Sequence, residues 1–181
     1  VGATIADDIK STSLTAMLIA MLLIFVYIVI RFRKWQFGLG AIIALVHDVL
    51  IVISIFSIAR LVGISYEVDQ IFIAAILTII GYSINDTVVV FDRVREFLTE
   101  KPTADTAETF NKAINSTLGR TLMTSFTTLL VVVILFIFGG EALKGFSFAL
   151  LIGVFFGTYS SIFIATPVVL DTAMRTKKKS D

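Results

Sequence analysis

The chain has 181 residues, 57% of them hydrophobic and 16% charged, with one histidine, no cysteine and a formal net charge of +1. Soluble domains carry about 25% charged and about 45–50% apolar residues. A mean hydropathy of +0.96 therefore argues against a water-soluble enzyme, a disordered tail or a nucleic-acid binder. Without cysteine there is no disulfide, thiol nucleophile or cysteine metal site, and a single histidine cannot build a histidine-rich metal centre.

Stretches without charge place the elements. They predict an all-α, polytopic membrane bundle of five transmembrane helices at about 12–30, 37–59, 69–91, 121–139 and 146–170. Each is long enough to cross a hydrocarbon core about 30 Å thick at about 1.5 Å per residue. Residues 1–11 are polar and acidic and read as the end of an extracytoplasmic domain; residues 171–181 read as a cytoplasmic tail. The absence of an initiating Met suggests a fragment of a longer chain. Arg31, Arg33, Lys34, Arg93, Arg95, Lys101, Lys112, Arg120, Arg175, Lys177, Lys178 and Lys179 fall on one side, and only Lys10, Arg60 and Lys144 on the other. The positive-inside rule then puts the N-terminus outside and the C-terminus in the cytoplasm. Tyr27, Trp35 and Tyr66 stand near span ends, where amphipathic rings favour the interface.

The first span carries no ionisable charge between Lys10 and Arg31. The second carries His47 and Asp48. Adjacent helical residues diverge by about 100°, so the two are not expected to share one small site. Asp48 is expected to face the bundle beside Ala41, Ala44 and Leu45; a proton-relay part and a structural hydrogen-bonding part both stay open. Gly38-Leu39-Gly40, at the start of this span, lacks the lysine and the setting of a phosphate loop. The third span carries Asp86. Of 14 acidic residues, only Asp48 and Asp86 lie within spans. An ionised Asp near the middle of a membrane helix costs roughly 2.5–3.5 kcal/mol, and such residues mark ion pathways and relays.

Thr78, Gly81, Tyr82, Asn85 and Asp86 recur at helical offsets as one small, polar stripe. At the start of the fourth span, Arg120, Thr121, Thr124, Ser125 and Thr128 form another. If the two helices touch, Arg120 can reach inward as the counter-ion of Asp86, while the hydroxyls carry hydrogen bonds or water or simply join helices. Between these spans, Pro102 breaks the chain and Thr103 or Asp105 can cap a new helix. Phe110, Ala113, Ile114, Thr117 and Leu118 then recur every three to four residues. An amphipathic helix lying on the cytoplasmic membrane surface is predicted there, as a connector or as a docking site. In the fifth span Gly153 and Gly157, extended by Ser161, have the spacing that lets helices approach closely. Pro167 should kink that span near its end.

Several runs together resemble the SecF family of bacterial protein-export membrane subunits. Gly81-Tyr82-Ser83-Ile84-Asn85-Asp86-Thr87-Val88-Val89-Val90-Phe91-Asp92-Arg93-Val94-Arg95-Glu96 carries its signature. Ala44-Leu45-Val46-His47-Asp48, Arg120-Thr121-Leu122-Met123-Thr124-Ser125 and Gly157-Thr158-Tyr159-Ser160-Ser161 resemble further motifs, in the expected order. The resemblance implies the last five of six spans of a subunit that works with SecD and the SecYEG translocon in the bacterial cytoplasmic (inner) membrane. Such a subunit draws preproteins outward at the expense of the proton-motive force, and it is not an enzyme. Carried over by motif, Asp86 would be the proton-carrying carboxylate and Arg120 its charge partner, with Asp48 and His47 as lesser candidates. No cofactor is implied; the coupling ion would be H⁺, and a carboxylate also suits Na⁺. Two other readings are an exporter of small hydrophobic molecules and a non-transporting scaffold of the translocon.

Overall fold

The computed structural model describes residues 2–64, 66–100 and 105–178, with the helical backbone alone for 2–10 and 177–178. The described chain is all-α: α1 (Gly2–Phe32), α2 (Trp35–Leu61), α3 (Gln70–Glu100), α4 (Thr106–Phe138), α5 (Glu141–Ser160), a single π turn (Ser161–Ala165) and α6 (Thr166–Lys178). Five helical stretches are long and apolar enough to cross a membrane, the last running from Glu141 to Thr176. Each predicted span falls on one of them.

Central in the bundle is α5, which packs against α2, α3 and α4, whereas α1 leans mainly on α2. Two glycines explain how closely α5 meets α3. A Cβ at Gly153 would collide with the Ile79 side chain, and one at Gly157 would stand 3.1 Å from the Ser83 Cβ. On the opposite flank, α2 meets the last span just as closely: a Cβ at Gly40 would lie 2.7 Å from the Ala165 carbonyl oxygen.

Two apolar layers form the core. One gathers Phe32, Phe37, Phe91, Val94, Phe110 and Val169 at the end of the bundle where α2 and α4 begin. There the Phe32 and Phe37 rings stack with centroids 5.0 Å apart, and Phe91 meets both edge-on, in the arrangements that aromatic quadrupoles favour. The second layer, towards the opposite end, gathers Leu45, Val52, Phe56, Phe72, Ile79 and Leu150. Tyr66, in the α2–α3 connection, packs on it through Phe56 and Phe148. Basic side chains crowd the first end. Arg31 pairs with Asp92 at 2.9 Å, and Arg93 pairs with Glu96 and covers the Phe97 ring.

The connection between the third and fourth spans differs from expectation. No separate surface helix forms among the described residues. The predicted amphipathic stretch makes up the first turns of α4, which continues unbroken to Phe138. Its apolar face, with Thr109, Phe110, Ala113 and Thr117 buried, covers protein core instead of lipid headgroups. Nothing after Asp105 stops the helix, since Gly119 alone costs too little to end it. Asp105 is the cap, its Oδ1 accepting from the Glu108 N–H at 3.0 Å; Pro102 and Thr103 lie outside the described residues. The kink expected at Pro167 takes another form. The ring has no N–H to give, and the helix widens to a π turn over Ser161–Ala165 just before it. The Thr166 hydroxyl donates back to the Ser161 carbonyl at 2.8 Å. Such local widening commonly resettles backbone groups around a membrane proline.

Candidate functional site

Between the two apolar layers lies a polar one. It consists of Asp48 from α2, Ser83, Asp86 and Thr87 from α3, Ser125 from α4, and Thr158, Ser160 and Ser161 from the last span, all buried. A helix turns about 100° per residue, so Ser83, Asp86 and Thr87 share the inward face of α3 with Ile79, Ile80 and Val90. Likewise Asp48 shares the buried face of α2 with Ala41, Ala44, Leu45 and Val52. Polar groups shut away from water are tolerable only when hydrogen-bonded, and these are.

Asp86, 2% exposed, accepts from Ser125 Oγ and Thr158 Oγ1, both at 3.3 Å and both on Oδ2. Those two hydroxyls also bond each other, and Tyr82 donates its phenolic proton to Ser125 Oγ at 3.3 Å. Thr158 has a second acceptor within reach, the Val154 carbonyl at 3.0 Å. One hydroxyl proton cannot serve both, so its direction depends on the charge of Asp86.

Asp48, 1% exposed, is held more tightly. Its Oδ2 accepts from Ser83 at 2.6 Å and Ser160 at 2.8 Å, and its Oδ1 lies 3.1 Å from His47 Nδ1. That last contact corrects the expectation that His47 and Asp48 would not share a site. The ring folds along α2 to one oxygen while the carboxylate turns its other oxygen inward. Thr87 and Ser161 share a hydrogen bond of 2.8 Å, and Ser161 also reaches the Ser83 carbonyl. Each acid thus has its own set of hydroxyls, Ser83 and Ser160 around Asp48 and Ser125 and Thr158 around Asp86.

Several expected neighbours stand elsewhere. Arg120 is exposed and makes no direct ion pair with Asp86. Five residues before Ser125, it points about 140° away around α4 and lies about 7.5 Å along the axis. Thr78, Gly81 and Asn85 are exposed along α3, as is Thr124 on α4. Thr78 and Thr124 return their hydroxyl protons to the helix carbonyls of Ala74 and Arg120. Tyr82 is half-buried and Ser125 and Thr121 are buried; the Thr121 Oγ1 has no hydrogen-bond partner among the described residues. Ser83, Thr87, Thr158 and Ser160 belong to the site and were absent from the predicted stripes. Their signal was the spacing of Ser83 and Thr87, four apart with Asp86 between, facing the Gly157–Ser161 run.

A bundle of membrane-length helices with two buried carboxylates, each hydrogen-bonded to hydroxyls of its own, belongs to the class of polytopic membrane proteins with an ionisable interior. The family profile described as "Protein export membrane protein SecD/SecF, C-terminal" matches residues 1–175, and the chain belongs to that family. It is 57% identical over 176 residues to the protein translocase subunit SecF of Rhodothermus marinus, covering 97% of this chain and 57% of that protein. With the SecF subunit of Haemophilus influenzae it shares 42% identity, covering 97% of this chain and 52% of that one. The chain thus spans about half the length of these curated relatives. Among solved structures it resembles SecDF in a super-membrane-facing form, with a TM-score of 0.85 and 41% identity over 96% of this chain and 23% of that one.

Proposed function

We propose that this chain is the membrane-embedded part of a SecF-type subunit that couples inward proton movement to outward movement of preproteins, together with SecD and the SecYEG translocon in the bacterial cytoplasmic membrane. Family membership supports the transport class. The observation that carries the coupling is Asp86, buried between hydroxyls from α4 and α5.

Ionised, Asp86 only accepts, and it draws the Ser125 and Thr158 protons towards α3. Protonated, it becomes a donor. Thr158 can then turn to the Val154 carbonyl, and the link from α3 to α5 loosens. Arg120, exposed on α4, does not clamp that charge. Asp48 has the shorter hydroxyl contacts, at 2.6 and 2.8 Å, so the proton change is assigned to Asp86, and Asp48 with His47 holds Ser83 and Ser160 in position. A charge crossing the full membrane field gains about 2.3 kcal/mol per 100 mV, enough to bias two helix arrangements. The exposed row Thr78, Gly81 and Asn85 supports docking of SecD helices there, since small and amide side chains serve helix contacts in membranes.

The test is Asp86→Asn in the full-length subunit, reconstituted with SecD and SecYEG. Proton-driven export should be lost while the complex still assembles. Unchanged export would make Asp86 structural and favour the scaffold reading. Small-molecule flux without SecYEG would favour the exporter, and a sodium gradient replacing the proton gradient would change the coupling ion.

A further inference from the structure

Along the bundle axis the hydroxyls around Asp86 are closed off at both ends. On one side lies the apolar layer with Phe37, Phe91, Val94 and Phe110, and on the other the layer with Ile79, Ile80 and Leu150. A proton bound for the carboxylate therefore needs a way in from the side, and the hydrogen bonds show where one exists. Thr158 leads only back to its own helix, at the Val154 carbonyl. Ser125 leads outward, because the Tyr82 phenol donates to its Oγ at 3.3 Å. Among the described residues, no side chain other than Tyr82 joins the Asp86–Ser125–Thr158 group to its surroundings.

Tyr82 stands where the buried face of α3 ends. It is half-buried, whereas Thr78 and Asn85, four residues before it and three after, are exposed. Residues at those offsets are neighbours on one side of a helix, so the phenol reaches from the polar outer flank of α3 to Ser125. It lies one turn from Asp86, on the side away from the basic end. In the orientation expected from the charge distribution, that is the outer side, from which protons come. The donors also run in one direction: Tyr82 gives its hydrogen to Ser125, and Ser125 gives its own to Asp86 Oδ2. Each hydroxyl can accept while it donates, which a row that passes protons requires.

We propose that Tyr82 is the relay through which Asp86 takes up its proton, an inference that rests on the coupling role given to Asp86 above. The step balances over three groups and one hydronium ion. Ser125 passes its hydroxyl hydrogen to the Asp86 carboxylate, and Tyr82 passes its own to Ser125. The phenol oxygen takes a proton from hydronium on the polar flank of α3, leaving water. Both hydroxyls end neutral and turn back to their starting direction. Tyr82 makes no hydrogen bond to Asp86 itself. It acts through Ser125, so it governs how fast the acid is protonated and not how far.

The full-length subunit is reconstituted with SecD, and infrared difference spectroscopy follows the carbonyl band of protonated Asp86 after a rapid drop in pH. Asp86→Asn identifies that band by removing it. Tyr82→Phe keeps the ring and loses the hydroxyl. It should slow the rise of the band by about a hundredfold, the lower end of what a positioned proton donor contributes. The final amplitude at saturating acidity should stay the same. Ser125→Ala cuts the row at its next link, and combining it with Tyr82→Phe should slow the rise no further than the slower single variant, as for residues of one network. An unaltered rate in Tyr82→Phe overturns the relay. So do slowings that multiply in the double variant, which would mark separate routes, and so does a reduced amplitude, which would make Tyr82 a support of the protonated acid. A spectrum with no band that Asp86→Asn removes would overturn the coupling role of Asp86 and the relay with it, so the two failures are told apart.

Discussion

The two buried acids of this bundle live in different surroundings. Asp48 holds three partners at 2.6, 2.8 and 3.1 Å, drawn from its own helix, α3 and the last span. Asp86 holds two at 3.3 Å, each of which has another place to send its proton. Shorter contacts hold a carboxylate more firmly in one position. Longer contacts to hydroxyls with alternatives leave room for a change of charge. In the coupling proposed above, the first acid serves as a fastening and the second as a switch.

That contrast can be broken by exchanging each acid for its amide. Asp86→Asn should give the largest effect, loss of proton-driven export with the fold intact, whereas Asp48→Asn should retain measurable export; similar losses in an export assay would erase the distinction. Next in size, Gly157→Val should drive α5 from Ser83, the hydroxyl that Asp48 depends on, and lower stability by about 1–3 kcal/mol. Thermal unfolding in detergent reads that change, and an unaltered midpoint would mean that α3 and α5 are not close there. Asp48→Ala removes the common acceptor of Ser83 and Ser160 and should cost about 1–2 kcal/mol by the same measurement. The smallest effect belongs to Tyr82→Phe, about 0.6 kcal/mol, typical of one side-chain hydrogen bond within a membrane protein. A loss several times larger would make Tyr82 a support of Asp86 on a par with Ser125.

The five spans were readable because charge is so scarce that its gaps outline them. Asp86 and Asp48 stood out for the same reason. What could not be read was the rotation of α3. Its exposed surface includes apolar residues such as Ile71 and Leu77, so hydrophobicity does not say which side faces protein. Asp86 sits at the edge of two polar stripes, Thr78–Gly81–Tyr82–Asn85 and Ser83–Thr87. The second turns inward because Gly157 leaves space opposite Ser83. The periodicity at Phe110, Ala113 and Thr117 was correctly legible as one apolar face. Its owner was not, because a lipid surface and a protein core impose the same pattern.

One consequence follows from α3 having polar residues on both flanks. A helix meant to rest against acyl chains would carry branched aliphatic groups at Gly81 and Asn85. There the backbone is left bare by one residue, and a carboxamide is held out by the other. Fatty tails offer neither a snug fit to the first nor a proton to the second, which is why this flank suits the partner helix of the proposed assembly better than lipid.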